Sequence, residues 1–214
     1  MLVLHDFLDS GNGYKVRLTL AHLGIPYRLV EQDILTGQTR TSGFLRKNPN
    51  GRIPTLELED GTCLAESNAI TYYLARDTRL WPQDKLEQAQ TLQWMFFEQY
   101  SHEPYIAVLR AWKHVGFGVT PERLARVPEL EKRGYAALDV MESHLKGRRC
   151  FVGERFGLAD IALYAYTHVA EEGGFELARY PAIRGWLAGV AAQPGHVPIT
   201  FRPPVGKTGP AAAE

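Results

Sequence analysis

At 214 residues the chain is long enough for one domain, or two small ones, around a substantial apolar core. Lysine plus arginine balance aspartate plus glutamate at 24 each, which excludes the strong basic field of a nucleic-acid or anionic-membrane binder. Two cysteines, Cys63 and Cys150, without a CxxC exclude a disulfide framework and point to a reducing compartment; a start unlike a signal peptide and the lack of any membrane-length apolar run make a cytoplasmic protein the expectation.

In chain order, Leu2-Val-Leu-His reads as a strand. Asp9-Ser10-Gly11-Asn12-Gly13 is crowded with turn formers. Residues 15–23 follow as a helix closed by Gly24, with Lys15 and Arg17 most simply on its exposed side. Residues 27–32 give a second strand and residues 35–50 a looser connection. Pro54 lacks an amide hydrogen and pushes Ile53 into extended backbone, so the N–H and C=O of Ile53 should be free to pair with a peptide laid alongside, as on a short edge strand. Thr55-Leu-Glu-Leu and Cys63-Leu-Ala then flank Asp60-Gly61, a strong hairpin signal.

Glu66-Ser67 precedes a helix in which Ile70, Tyr73 and Leu74 recur at helical spacing. Ser67 thus falls at a helix N-terminus, where unpaired N–H groups hold a carboxylate well. A lone serine there also serves as an ordinary N-cap. Strand, helix, strand, hairpin and helix make a mixed sheet covered by helices over residues 1–78.

Arg79-Leu-Trp-Pro begins a linker over residues 79–85, after which strand signals fade. A long helix over residues 86–111 carries Leu92, Met95, Phe96 and Gln99 on one face and should be kinked or interrupted at Pro104. Leu138, Met141 and Leu145 mark another helix, residues 158–169 a very apolar one, and Ile183, Trp186, Leu187 and Val190 a last one. Residues 86–200 therefore read as an all-helical bundle, and the proline-rich residues 201–214 as a flexible tail. His102, a lone histidine near the kink, has no partner geometry in the sequence and stays outside the site.

Taken in this order, the strand, Ser10-Gly-Asn-Gly, the helix, Asn48-Pro-Asn-Gly-Arg-Ile-Pro, the hairpin and Glu66-Ser67 resemble the cytosolic glutathione transferase family over roughly residues 1–200. The resemblance implies a thioredoxin-like first domain and an all-helical second one. It implies glutathione as co-substrate, no metal, an apolar electrophile and a homodimer in which the first domain of one chain meets the bundle of the other. The chain departs from the family at Gly157, where a Ser or Thr usually caps a buried helix in reciprocal fashion with the acidic residue matching Asp160. Asp160 belongs on this reading to folding.

The thiolate is the reactive form of glutathione, so such an enzyme lowers a thiol pKa from about 8.5 by on the order of 2 units, or about 2.7 kcal/mol. One hydrogen bond to a charged acceptor supplies roughly 1.5–3 kcal/mol and a helix N-terminus about 0.3–1 more. Ser10 is the first candidate donor to the sulfur, as in serine-type members. Asn12 competes through its side-chain or backbone N–H, as where neighbouring Ser, Thr and Asn share the task. By the same resemblance, Ile53, next to Pro54, pairs with the cysteinyl backbone, while Ser67 and Glu66 take the carboxylate and amine of the γ-glutamyl end. Arg52 and Gln38 are candidates for the glycine carboxylate. Tyr100, Tyr105, Trp112 and Phe117 are candidates to line the electrophile pocket between the domains, although aromatics at helical spacing are more often core. Group transfer leads, glutathione-dependent reduction of disulfides or peroxides is the alternative, and a glutathione-fold binding module without turnover is the reading from another class.

Overall fold

A computed structural model describes residues 1–204. Strands β1 (Leu2–Asp6), β2 (Tyr27–Glu31), β3 (Thr55–Glu57) and β4 (Cys63–Ala65) form one sheet in the order β2-β1-β3-β4. β2 runs parallel to β1, and β3 and β4 follow antiparallel. A parallel pair needs a crossover, and α1 (Gly11–Leu23) supplies it. It ends at Gly24, whose φ of 64° suits a residue without Cβ. In the hairpin only Gly61, at φ 84°, takes a positive angle, and the Leu58 N–H donates to the Thr62 carbonyl at 2.8 Å. α3 (Ser67–Ala75) packs beside α1, and the short α2 (Ser42–Lys47) lies in the connection before β3. Leu4, Val16, Leu20, Leu56 and Ile70 close a small core under the sheet.

Ile53 is not on an edge strand, as the sequence had suggested. It lies in a bend leading into β3, which is interior because β1 and β4 pair on its two sides. Its backbone is nonetheless free: neither its N–H nor its C=O finds a hydrogen-bond partner among the described residues.

The second half is helical. α4 (Lys85–Phe97) is capped by Asp84, whose carboxylate accepts from the N–H groups of Leu86 and Glu87 at 2.9 and 3.0 Å. A π turn over Glu98–His102 then leads into α5 (Glu103–Arg110), with Pro104 in its first turn. Proline cannot donate to the preceding turn, and the wider turn is the interruption expected there. A second π turn, the short α6 (Pro121–Leu124), α7 (Val127–Leu145), α8 (Leu158–Thr167) and α9 (Pro181–Ala191) complete the bundle around α8, which is buried throughout. The arrangement is a thioredoxin-like domain followed by an all-helical one. No helix among the described residues is long and apolar enough to cross a membrane.

Two further expectations need correction. Lys15 and Arg17 are not on an exposed side; both are fully buried. α1 is covered by the sheet, α3 and α8, so each cation is held by a buried carboxylate: Arg17 Nε lies 2.9 Å from Asp6 Oδ2 and Lys15 Nζ 2.6 Å from Glu98 Oε2. The buried face of α4 is Thr91, Trp94 and Met95, continued by Glu98, while Leu92 and Phe96 remain 39% and 70% exposed. Periodicity that counts only apolar residues cannot find a core face containing a threonine and a paired glutamate. At the start of the stretch read as a tail, Arg202 lies 2.5 Å from Glu31; residues 205–214 lie outside the described residues.

Candidate functional site

The N-termini of α1 and α3 meet beside the helical domain. Ser10 caps α1, its Oγ accepting from the Gly13 N–H at 3.3 Å, so its own hydrogen is not spent on the cap and is left for the neighbouring Tyr166 oxygen or a ligand. Two glycines permit this turn by close approach. A Cβ on Gly13 would fall 1.6 Å from Asp6 Oδ1, and one on Gly11 would fall 2.5 Å from the Tyr166 ring.

Asn12 has four partners. Its backbone N–H donates to Tyr166 Oη at 3.2 Å and its Nδ2 to Glu103 Oε1 at 3.1 Å. Its Oδ1 accepts from Lys15 Nζ at 2.9 Å and from the Ser67 hydroxyl at 3.2 Å. One of its two amide hydrogens is left for another acceptor.

Ser67 is buried and is the first residue of α3 rather than its N-cap. The N-cap is Glu66, at φ 66° and ψ 111°, and its side chain makes no capping bond. A non-glycine residue with positive φ costs conformational energy and is worth a functional question. The leading N–H groups of α3 have no intrahelical acceptor and no side-chain cap, which leaves an anion-receptive terminus. Glu66 is exposed beside it.

Ile53 is half-buried, with a cis bond to the buried Pro54. Arg52 is exposed, and its guanidinium makes no ion pair among the described residues; its carbonyl accepts from Asn48 Nδ2 at 2.7 Å and from Thr55 Oγ1 at 3.2 Å, which fixes the bend. Gln38, itself exposed, opens a 3-10 turn and spends its Oε1 on the Asp33 N–H at 2.8 Å.

The four aromatic candidates have different surroundings. Tyr100 is 85% exposed on the π turn. Tyr105 turns to α7, where its Oη accepts from Arg133 at 3.1 Å. Trp112 is half-buried against the helical core, and Phe117 is exposed beyond the second π turn. The face of α5 toward the first domain carries Glu103 and Arg110 instead, seven residues apart and so aligned along the helix. The nearly fully buried Arg110 donates to the Asp9 carbonyl at 2.5 Å, to Asp9 Oδ1 at 2.7 Å and to Glu172 Oε2 at 2.5 Å, tying down the residue before Ser10.

Sequence reasoning missed Lys15, Glu98, Glu103, Arg110 and Tyr166. For Lys15 a signal existed: Tyr14, Val16, Leu18 and Leu20 alternate through α1, spreading apolar side chains around the whole helix, as in helices buried on every side. Burial pushes the Glu98 carboxyl up against the pull of Lys15, and it drives the imidazole of His102 down to about 3, with Nε2 bonded to Thr167 Oγ1 at 2.9 Å. His102 is thus a neutral core residue.

Residues 2–76 match the family model for the glutathione S-transferase N-terminal domain and residues 94–194 that for the C-terminal domain. The crystal structure of a glutathione S-transferase from Pseudomonas fluorescens Pf-5 is 53% identical, covers 94% of this chain and 99% of its own, and superposes with a TM-score of 0.90. The disulfide-bond oxidoreductase YfcG of Escherichia coli K12 is 30% identical over 195 residues, 88% of this chain and 89% of that protein. Ure2p in complex with glutathione shares the fold at 24% identity and a TM-score of 0.81, over 91% of this chain and 95% of that one. With both domain models matched in order on a thioredoxin-like and a helical domain, the chain belongs to the glutathione S-transferase family.

Proposed function

We propose that the protein is an enzyme that binds glutathione and transfers its thiolate to an apolar electrophile. The observation that carries this reading is the cluster of Ser10, Asn12 and Ser67 at two adjoining helix N-termini, beside the unpaired backbone of Ile53. The cysteinyl backbone of the tripeptide pairs with Ile53. Its γ-glutamyl carboxylate meets the unpaired N–H groups at Ser67, and Glu66 takes the amine. Arg52 and Gln38 serve the glycine carboxylate, of which Arg52 has its charge uncommitted.

The sulfur then lies by Ser10, whose hydrogen stabilises the thiolate, with the remaining Asn12 amide hydrogen as a second donor. The thiolate attacks an electrophile held beside this turn, and the leaving group departs with the bond electrons. Trp112 and Phe117 remain pocket candidates after the end of α5 and Tyr100 before its start, while the Tyr105 hydroxyl is engaged by Arg133 of α7.

Reduction of disulfides is the second reading, favoured by the likeness to a disulfide-bond oxidoreductase. One glutathione thiolate would displace a thiolate from the substrate and a second would resolve the mixed disulfide as oxidised glutathione. The third is a binding module without turnover. We further propose a cytoplasmic homodimer without a metal, with domains divided near residues 79–85. Large apolar side chains left exposed on α3 (Tyr72, Tyr73) and α4 (Leu92, Phe96) support the dimer. Titration calorimetry with reduced glutathione tests the common premise, and absence of heat rejects it. Turnover of a chloroaromatic, of a disulfide or of neither then separates the three readings.

A further inference from the structure

A buried ammonium is costly unless its hydrogens find acceptors. Lys15 has three: Glu98 Oε2 at 2.6 Å, Asn12 Oδ1 at 2.9 Å and Ser67 Oγ at 3.5 Å. The first belongs to the helical domain, and the other two stand at the starts of α1 and α3. Asn12 is held at its other end by Glu103, again from the helical domain. A cation on Oδ1 and a carboxylate on Nδ2 admit one orientation of the amide; the flipped amide would set NH₂ against ammonium and oxygen against carboxylate. The Ser67 hydroxyl, accepting from Lys15, must send its hydrogen elsewhere, and it sends it to the same Oδ1. Asn68 Nδ2, 3.4 Å from Glu98 Oε2, ties the second residue of α3 to the same carboxylate.

We propose that Lys15 is a positioning residue: with Glu98 and Glu103 reaching across the domain boundary, it fixes the Asn12 amide and, through the Ser67 hydroxyl, the start of α3 in the geometry that receives glutathione. The tripeptide site is therefore completed by the helical domain of the same chain. The inference rests on the glutathione reading above. It differs from a purely structural ion pair in one respect: a hydrophobic pair of similar volume often replaces a buried salt bridge without loss of stability, yet it cannot orient an amide.

The test is the double variant Lys15→Met/Glu98→Leu, since Lys15→Met alone strands a buried carboxylate. Three quantities are read: the thermal midpoint, the NMR resonances of the Asn12 side-chain amide without ligand, and the glutathione Kd by calorimetry. The expected result is a folded protein whose Asn12 amide resonances move toward free-amide positions and whose Kd weakens about tenfold or more. A folded double variant with unshifted Asn12 resonances, or with a Kd within about twofold of wild type, overturns the proposal. Should the double variant not fold, Glu103→Ala, at a half-exposed position, releases the other end of the amide; shifted resonances and a weakened Kd are again expected, and unshifted resonances or an unchanged Kd again overturn the proposal. If wild-type protein gives no heat with glutathione, the glutathione reading falls, while the ligand-free resonances still decide whether Lys15 holds Asn12.

Discussion

Ser10 and Asn12 differ in how much hydrogen-bonding capacity the fold has left them. Ser10 spends a lone pair on Gly13 and keeps its hydrogen, whereas Asn12 has committed its carbonyl oxygen and one amide hydrogen. Ser10→Ala is therefore expected to raise the pKa of the bound thiol and to lower turnover roughly ten- to thousandfold. It should also cost about 1 kcal/mol through loss of the α1 cap. A pH profile of kcat beside a urea titration separates the two effects, and unchanged kinetics would pass the thiol to Asn12. His102 sets a second expectation. Its folded pKa, about 3, lies below the unfolded value near 6.5, so the unfolded chain takes up a proton that the folded chain refuses. Its contribution is fully present above pH ~6.5 and is lost progressively as pH falls toward ~3. Asp6, pushed up to about 6 by burial, acts with the opposite sign, favouring the fold as pH falls through that value. The readout is thus a difference: His102→Gln should lose about 2 kcal/mol less than wild type between pH 7 and pH 5 in paired denaturant titrations. Equal losses would mean that the imidazole is reached by water.

At the scale of the element, α8 shows how one carboxylate can replace a missing cap. Gly157 precedes the helix without a side-chain bond, but Asp160 Oδ2 accepts from its N–H at 3.0 Å. Asp160 Oδ1 accepts further from Phe151 N–H at 3.0 Å and Trp186 Nε1 at 2.8 Å, joining α8 to the preceding loop and to α9. The expected folding role of Asp160 is thus larger than a helix cap. Asp160→Ala leaves three donors without this acceptor and is expected to cost about 3 kcal/mol or more, read from the urea midpoint. A loss below about 1 kcal/mol would mean that water takes over. The Gly157 departure has a packing reason that the sequence could not show: a Cβ there would lie 3.1 Å from the Leu80 carbonyl oxygen, which already accepts from the Leu158 N–H.

On the scale of the whole molecule, the two domains are joined by charge as well as by apolar packing. Lys15–Glu98, Asn12–Glu103 and Asp9–Arg110 all cross the boundary, and the Tyr14 hydroxyl donates to the Val197 carbonyl at 2.6 Å. Arg17 likewise donates to the carbonyl of Ile199. On the outside, Phe96, 70% exposed, stands on the proposed dimer face. Phe96→Glu would place a charge in an apolar contact and is expected to shift a dimer to monomers in sedimentation velocity without unfolding the chain. An unaltered sedimentation coefficient would place any interface elsewhere.

The sequence by itself determined what local chemistry can specify. Turn formers placed Ser10, Gly24 closed α1, Asp60-Gly61 marked the hairpin, Pro104 broke the long helix, and Glu66-Ser67 marked the start of α3, because turns, caps and breaks depend on neighbours along the chain. Tertiary structure alone decided where charge could be buried. Lys15 meets Glu98 across 83 residues, and the helix that looked half-exposed is enclosed on every side. The same holds for the aromatic candidates, since helical spacing gives a face but not what covers it. A buried ion pair or an occupied face exists only when a distant partner arrives, and that arrival is a property of the folded chain.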